Sequence, residues 1–264
     1  MKKNTNFTEV TEFPDELVTQ QQIDRFVQRY FWSVEYCKGK TILEVACGSG
    51  PGLPLIASVA KQVFALDIDK NLLSVAKKYN PNIVFFNDDI ESHDFRGAKY
   101  DVIMIHEAIY YFEDPIGLLK RLKEILHPNG VILISSVNPS IEGFNKSQFS
   151  KNYLDISAYI NAANELDMKL TVSGGFELAA LNKNLSFKFR QKLKKLASSF
   201  GLIPKSMRGK RILKRIFFGR LSKMPVLKDK SNFIGRYIAP QAICKEQAND
   251  LDYEILYISL TLNS

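Results

Sequence analysis

Three glycines at alternate positions mark the stretch of this sequence that says most about its chemistry. Gly48, Gly50 and Gly52 follow a short apolar run that contains one acid, Glu44. The first two glycines leave room for the backbone to turn sharply and to approach a ligand. A second apolar run ends at Asp67, whose carboxylate can accept hydrogen bonds from both hydroxyls of a ribose. Strand, glycine-rich turn, helix, strand and acid together predict a nucleoside-binding βαβ unit.

Two neighbouring acids, Asp88 and Asp89, follow the next predicted strand, residues 82–86. Asp88 or Asp89 can accept a hydrogen bond from the amino group of an adenine. Ile68 and Ile90 offer apolar surfaces to the ring. In an open α/β sheet the carboxyl ends of the strands meet at one edge, so we expect these side chains to share one crevice.

The glycine spacing separates two classes of nucleoside cofactor. Dinucleotide-binding proteins use Gly-x-Gly-x-x-Gly, whereas this chain has Gly-x-Gly-x-Gly preceded by Glu44. That arrangement resembles motif I of the class I S-adenosylmethionine (SAM) methyltransferases, and a nicotinamide-dependent dehydrogenase is the weaker interpretation. The resemblance extends to the ribose loop, the adenine loop, the fourth strand and the turn before the fifth, at residues 65–68, 89–95, 100–108 and 127–131.

The resemblance implies SAM as the cofactor and S-adenosylhomocysteine (SAH) as the product. It also implies a helical lid in which Arg29 and Tyr30 meet the methionine carboxylate; an exposed helix arginine is the alternative. Glu44 has two interpretations, since its carboxylate can bond the turn backbone instead of the ligand. The cofactor-binding residues expected on this basis are Arg29, Tyr30, Glu44, Ala46, Cys47, Gly48, Gly50, Asp67, Ile68, Asp88, Asp89, Ile90 and His106.

The alternation of apolar runs and helical patterns predicts an α/β fold. By resemblance it is a Rossmann-like, seven-stranded, mainly parallel sheet with an antiparallel last strand. An N-terminal helical lid precedes it, and a basic helical insertion comes before the last strand. We expect one methyltransferase domain, residues 1–264, made of a lid, a SAM-binding core, the insertion and the final strand, at residues 1–38, 39–175, 176–248 and 249–264.

Methyl transfer to a hydroxyl needs a group that accepts its proton. His106, which ends the predicted fourth strand, is the candidate catalytic base, because its ordinary pKa suits neutral pH. Packing against the cofactor is the alternative for His106, and Glu107 is a weaker candidate base. The expected substrate pocket is aromatic and consists of Tyr110, Tyr111, Phe144, Phe149 and Tyr153; simple packing is the alternative for the two that follow the strand.

The net charge of +8 hides an asymmetry. Residues 178–228 contain 15 Lys and Arg and no acid, while the rest of the chain has 21 basic and 28 acidic residues. Two stretches of this segment, residues 188–197 and 208–220, mix cations with apolar residues at helical spacing. Such patterns suit an anionic membrane or a lipid-linked substrate, or a plain lid with solvated charges. Nucleic acid is the weaker alternative, since no RNA-binding module flanks the segment.

A further resemblance concerns the acceptor. Residues 8–12, 29–32, 106–111 and 138–153 resemble bacterial methyltransferases of surface-polysaccharide and sugar biosynthesis. This resemblance implies methylation of a hydroxyl on a sugar or on a glycan- or lipid-linked small molecule. The alternatives are an RNA methyltransferase that uses the basic segment and a SAM-binding protein without catalysis. One sequence does not predict the oligomeric state.

Other features exclude several classes of protein. The three cysteines and three histidines have no metal-ligand spacing, so we expect no metal site. The chain has neither an apolar run long enough to span a membrane nor the pattern of a signal peptide. We therefore expect a cytoplasmic protein, with a peripheral position at the inner face of the membrane as the extension that the basic segment suggests.

Overall fold

The computed structural model describes residues 7–178, 221–231, 233, 237–243 and 252–263. Most strands of the described chain join one eight-stranded sheet, and a two-residue pair, β1 with β8, lies apart from it. The strands are β1 (Leu17–Val18), β2 (Thr41–Val45), β3 (Gln62–Asp67), β4 (Val84–Asn87), β5 (Tyr100–His106), β6 (Leu126–Val137), β7 (Met168–Glu177), β8 (Ser222–Lys223), β9 (Gln241–Ala242) and β10 (Tyr253–Leu262).

Helices alternate with these strands through the first two thirds of the chain. Side chains that accept hydrogen bonds from free backbone amides start several of them. Thr19 forms a capping box with Gln22, and Asp114 accepts from the Gly117 amide ahead of Pro115. The helices are α1 (Gln20–Cys37), α2 (Leu53–Ala57), α3 (Lys70–Tyr79), α4 (Pro115–Glu124) and α5 (Ile156–Glu165).

The main sheet confirms the predicted fold class. Its order is β4-β3-β2-β5-β6-β10-β7-β9, with parallel pairing from β4 to β6. The last strand, β10, inserts antiparallel between β6 and β7, as the resemblance implied. The strand number is eight rather than seven, because Gln241–Ala242 adds a short edge strand against β7.

Two apolar layers cover the faces of the sheet. One contains the buried faces of α4 and α5, and the other contains those of α1 and α2. The apolar face of α1 is buried, and it includes Ile23, Phe26, Val27, Tyr30 and Phe31. The parallel strands are almost continuously buried, which explains their unbroken apolar runs.

The strand order reverses between β3 and β5, which lie on either side of β2. Ligands of open α/β sheets bind in the crevice beyond the carboxyl ends of the strands at such a point. The fold therefore places the glycine-rich turn after β2, Asp67 at the end of β3, and His106 at the end of β5 around one crevice.

Both basic amphipathic stretches, residues 188–197 and 208–220, lie outside the described residues. The end of the basic segment is described: Met224 and Leu227 are buried in the layer that contains α1. The helices of the described part of the chain include none that is long and apolar enough to cross a membrane.

Candidate active site

A cleft with a cavity volume of about 460 Å³ opens at the carboxyl ends of β2, β3 and β5. This volume lies within the usual range for small-molecule sites. The predicted residues that line it are Arg29, Tyr30, Glu44, Ala46, Cys47, Gly48, Asp67, Ile68, Asp88, Asp89, Ile90, His106, Tyr110 and Tyr111. Gly50, Phe144, Phe149 and Tyr153 lie outside this lining.

The glycine-rich turn forms the floor of the cleft. Gly48 and Gly50 have φ angles of 58° and 64°, in the left-handed region that favours glycine. The Gly48 amide donates to the Asp67 carboxylate at 2.7 Å, which ties the turn to the end of β3. Gly50 lies behind the turn, where its carbonyl accepts from the side-chain amide of Asn80 at 3.1 Å. Gly50 therefore shapes the loop and is not part of the cleft surface.

Asp67 carries the acidic function predicted at the end of β3. One carboxylate oxygen accepts from the Gly48 amide and the other from the Asp69 amide at 2.8 Å. A carboxylate oxygen can accept more than one hydrogen bond, so both oxygens keep an acceptor position. Burial raises the pKa of Asp67, while these backbone bonds act in the opposite direction. Asp67 can thus hold two neighbouring hydroxyls at once.

The next strand places its acids beside Asp67. Asp88 and Asp89 follow β4 and line the same cleft. Asp88 pairs with His93 at 2.9 Å, and the Asp89 carboxylate accepts from the Glu91 amide at 3.1 Å. Ile68, although apolar, is 49% exposed at the cleft. An apolar surface beside carboxylates suits a flat, nitrogen-rich ring.

Glu44 lies in the centre of the sheet, beneath the cleft. Its Oε1 accepts a hydrogen bond of 2.6 Å from the Tyr30 hydroxyl. Its Oε2 is buried and has no partner among the described residues. Burial raises the pKa of Glu44 to about 7, although Tyr30 and Arg29 act in the opposite direction. Such an oxygen at a cleft marks a place where a ligand donor can bind.

Glu44→Gln is expected to change how stability depends on pH. The folded-state pKa of Glu44 is about 7, above the value of about 4.3 in an unfolded chain. Its contribution to stability is therefore present below the unfolded pKa and is lost as the pH rises through 7. We expect the free energy of unfolding of wild type relative to the variant to fall by about 1–3 kcal/mol between pH 4.5 and pH 8. Urea unfolding at several pH values measures this difference.

The matched control for this experiment is Glu9→Gln, since Glu9 is exposed. Its unfolding curves, recorded at the same pH values, give the effect of removing a surface carboxylate outside the cleft lining. Parallel pH profiles for wild type and Glu44→Gln would contradict the raised pKa of Glu44.

His106 is held by two buried hydroxyls. Its Nε2 lies 3.0 Å from the Ser33 Oγ, and its Nδ1 lies 3.0 Å from the Ser135 Oγ. Burial, together with the nearby Arg29 guanidinium, lowers the pKa of His106 well below its usual range, so the ring is neutral at physiological pH. These contacts orient the ring, and a serine hydroxyl must turn away before His106 can accept a proton. The base role of His106 stays a prediction.

Glu107 lines the cleft directly after β5. It has a φ of 51°, an uncommon conformation for a residue other than glycine. Its carboxylate accepts from the Tyr110 hydroxyl at 3.2 Å. Burial raises the pKa of Glu107 to about 7, while Arg29 and Arg25 lower it. A residue held in a strained conformation at a cleft is a functional candidate. Glu107 is therefore a stronger candidate base than the sequence alone indicates.

The predicted aromatic pocket divides into two shells. Tyr110 and Tyr111 line the cleft, and Tyr153 stacks on Tyr110 at a ring distance of 4.4 Å. Phe144 packs against Tyr153, while Phe149 packs against Phe7. Phe144, Phe149 and Tyr153 thus lie outside the cleft lining, in the loop after β6 that packs against the tyrosines following β5. Their role in the substrate pocket stays a prediction.

The N-terminal part of the chain supplies lining residues that were not among the predicted site residues. They are Phe7, Val10, Thr11, Glu12, Gln22 and Arg25. The Arg29 side chain, expected to meet a carboxylate, forms an ion pair with Glu12. Arg25, one helical turn before Arg29, pairs with Glu254 at the start of β10. The spacing of Arg25 and Arg29 on one helical face was the one available signal for these contacts.

Comparison with known proteins identifies the domain around the cleft. Residues 43–134 match the family described as a methyltransferase domain. This stretch includes the glycine-rich turn, Asp67 and His106. Residues 43–134 are therefore a methyltransferase domain.

Curated relatives of the methyltransferase domain have similar names. A probable SAM-dependent methyltransferase of Mycolicibacterium smegmatis is 29% identical over 102 residues, which are 39% of this chain and 40% of that protein. A ubiquinone biosynthesis O-methyltransferase of Proteus mirabilis is 28% identical over 105 residues, which are 38% of this chain and 43% of that protein. The match thus spans less than half of the length of these relatives.

Solved structures agree on the fold over most of the chain. The plantazolicin methyltransferase BpumL in complex with SAH has a TM-score of 0.55 at 20% identity, covering 93% of this chain and 86% of that one. Phosphoethanolamine N-methyltransferase 2 of Haemonchus contortus, in complex with SAM, has a TM-score of 0.56 at 16% identity, covering 90% of this chain and 53% of that one. At these identities the likeness concerns the fold.

The cleft of the methyltransferase domain fits SAM. Gly48 lies under Thr11, whose Cγ2 is only 2.9 Å from where a Cβ would lie, so the turn has no room for a side chain. Asp67 has acceptor positions for two ribose hydroxyls. The unpartnered Glu44 Oε2 provides an acceptor for an ammonium group. These residues suit the nucleoside and the amino-acid parts of one molecule.

Proposed function

We propose that the protein transfers a methyl group from SAM to a hydroxyl of a small acceptor, with a sugar or a glycan- or lipid-linked molecule as the acceptor class. The observation that carries the proposal is the division of one cleft into two ends. Asp67, Asp88 and Asp89 form the nucleoside end, and Glu107 with Tyr110 forms a polar and aromatic acceptor end. Relatives named as O-methyltransferases support an oxygen acceptor.

The residues of the cleft contribute mainly by binding and orientation. SAM, when bound, supplies a methyl group activated by a sulfonium. Asp67 holds the ribose and fixes the turn through Gly48. Tyr30 packs over Gly52 and beside the His106 ring, whose centroid is 5.2 Å away, and so covers the middle of the cleft. Holding the two reactants in line and excluding water supplies much of the rate in such a transfer.

The acceptor proton needs a receiving group within hydrogen-bonding reach. We propose His106 for this role, with Glu107 as the alternative. His106 is neutral, as a base must be, but both nitrogens already contact serines. The Glu107 carboxylate has one contact from Tyr110 and lines the cleft. His106 and Glu107 are adjacent in the chain. Variants of each residue are therefore needed to show which one accepts the proton.

His106→Ala is expected to lower methyl transfer by about 100-fold or more, the usual size of a lost general base, and to lower SAH affinity by a smaller factor. The assay measures SAH formation from SAM with a panel of sugars, nucleotide sugars and phenols, and calorimetry measures SAH binding.

Glu107→Gln is the matched variant. Normal turnover in His106→Ala with loss in Glu107→Gln would move the base role to Glu107. SAH binding without turnover of any acceptor would favour a non-catalytic SAM-binding protein.

We further propose an anionic membrane surface as the partner of residues 178–228, and hence a cytoplasmic protein with a peripheral position at the inner face. The support is the sequence alone, where 15 cations occur without an acid. Co-sedimentation with vesicles that contain anionic phosphatidylglycerol, and with neutral phosphatidylcholine vesicles, tests it. Equal failure to pellet with both would contradict it, and salt-dependent binding of RNA would favour the RNA methyltransferase.

A further inference from the structure

An ion pair closes one end of the cleft. The N-terminal strap, residues 7–18, crosses the glycine-rich turn, and Glu12 on the strap contacts Arg29 of α1. The contact uses both carboxylate oxygens: Oε1 accepts from Nη1 at 3.4 Å, and Oε2 accepts from Nη2. Both residues line the cleft. The pair therefore occupies a place where a ligand could bind.

The buried Arg29 side chain requires a negatively charged partner. Its side chain is 10% exposed, and a buried cation without a partner costs several kcal/mol. Its Nε is buried and has no hydrogen-bond partner among the described residues. Glu12 keeps the pKa of Arg29 raised against the effect of burial. The guanidinium is thus satisfied only in part, and a carboxylate in better geometry could replace Glu12.

The charges around Arg29 favour replacement of Glu12 by a ligand carboxylate over binding of both carboxylates together. Glu44 and Glu107 already lie close enough to interact with the guanidinium. A ligand carboxylate added beside Glu12 would bring a second carboxylate to the same guanidinium, next to the buried carboxyls of Glu44 and Glu107, and like charges repel. Glu12 has a side chain that is 28% exposed. Glu12 is therefore the carboxylate that water can solvate after it has left Arg29.

The strap backbone is held independently of this ion pair. The Ser49 hydroxyl donates to the Glu12 carbonyl oxygen. The Glu16 carbonyl accepts from the Met224 amide at 2.8 Å, and the strap continues into β1, which pairs with β8. Glu12 can therefore leave Arg29 by rotation of its side chain, without displacement of the strap.

We propose that Glu12 occupies the position of a ligand carboxylate on Arg29 and is displaced when a ligand with an amino-acid carboxylate enters the cleft. This inference rests on the proposed SAM-binding function. Glu12 then acts as an internal competitor that selects among adenosine ligands. Ligands that carry the carboxylate recover the lost ion pair with Arg29, and ligands without it leave Glu12 in place.

The test uses two probes that differ in the amino-acid part: SAH, which has the carboxylate, and 5′-methylthioadenosine, which lacks it. Calorimetry on the full chain measures both dissociation constants for wild type, Glu12→Gln and Arg29→Lys. Glu12→Gln should bind SAH about 3- to 10-fold more tightly, the size of a partly exposed ion pair that no longer has to be broken. Its affinity for methylthioadenosine should stay within about 2-fold. Arg29→Lys should weaken SAH and leave methylthioadenosine unchanged.

The control is Glu16→Gln, an exposed acid on the same strap, for which both affinities should equal those of wild type. Weaker SAH binding by Glu12→Gln would overturn the inference, because Glu12 would then hold the ligand. Equal changes for both probes would also overturn it. Failure of wild type to bind either probe would contradict the proposed function itself, which separates the two failures.

Discussion

Asp67→Ala is expected to weaken SAH binding by about 5- to 150-fold, or about 1–3 kcal/mol, which is the usual cost of losing a charged hydrogen-bond partner. Two effects add here. The variant loses the acceptor for the ribose hydroxyls, and it releases the Gly48 amide, which Asp67 holds at 2.7 Å. The turn that approaches the ligand is then free to move. Calorimetry at fixed salt concentration measures the change.

The matched control is Asp69→Ala, two residues further along. Asp69 caps α3 by accepting from the Asn71 amide at 2.8 Å and lies outside the cleft lining. Loss of this cap should lower the free energy of unfolding by about 1 kcal/mol and leave SAH affinity within about 3-fold. Equal SAH affinity in Asp67→Ala and wild type would show that the ribose binds elsewhere.

Gly50→Val is expected to lower the free energy of unfolding by about 2–5 kcal/mol and to abolish measurable SAH binding. Part of the loss, about 1–2 kcal/mol, comes from a left-handed conformation that a side chain disfavours. The rest, about 1–3 kcal/mol, comes from overpacking. A Cβ at Gly50 would lie 2.8 Å from the Leu53 Cδ1 and 3.1 Å from the Ala76 Cβ. The turn must shift, and Gly48 moves with it.

Gly97→Val separates these two causes. Gly97 has a φ of 74°, but no atom lies within 4 Å of the position that its Cβ would take. This variant should therefore lose only the conformational part, about 1–2 kcal/mol, and should bind SAH normally. Urea unfolding of both variants gives the comparison. Equal losses at the two positions would contradict the packing argument for the turn.

Much of the fold could be predicted from local patterns. The apolar run of β5 and the pairing of Asp114 with Pro115 identify elements whose signals are contained in a few neighbouring residues. The position of β10 between β6 and β7 has no local signal, and only the resemblance supplied it. The pairing of β1 with β8 and the edge strand β9 involve two residues each, too few for a periodic pattern.

The candidate site divides in the same way. Gly48 and Asp67 could be recognised, since Gly48 lies in the turn after one predicted strand and Asp67 ends the next. Glu12 could not, because its role depends on a contact with Arg29 that only the folded chain creates. The position of His106 at the end of β5 was correctly predicted. Its serine partners come from α1 and β6, and no sequence pattern near His106 predicts these contacts.

The central claim is that the cleft binds SAM through the amino-acid and nucleoside parts of the molecule. Isothermal titration of the full chain with SAH, and separately with NAD, tests it most directly. We expect one SAH to bind per chain and NAD to give no heat of binding, because the Gly-x-Gly-x-Gly turn lacks the dinucleotide spacing. Binding of NAD without binding of SAH would contradict the assignment of the cleft.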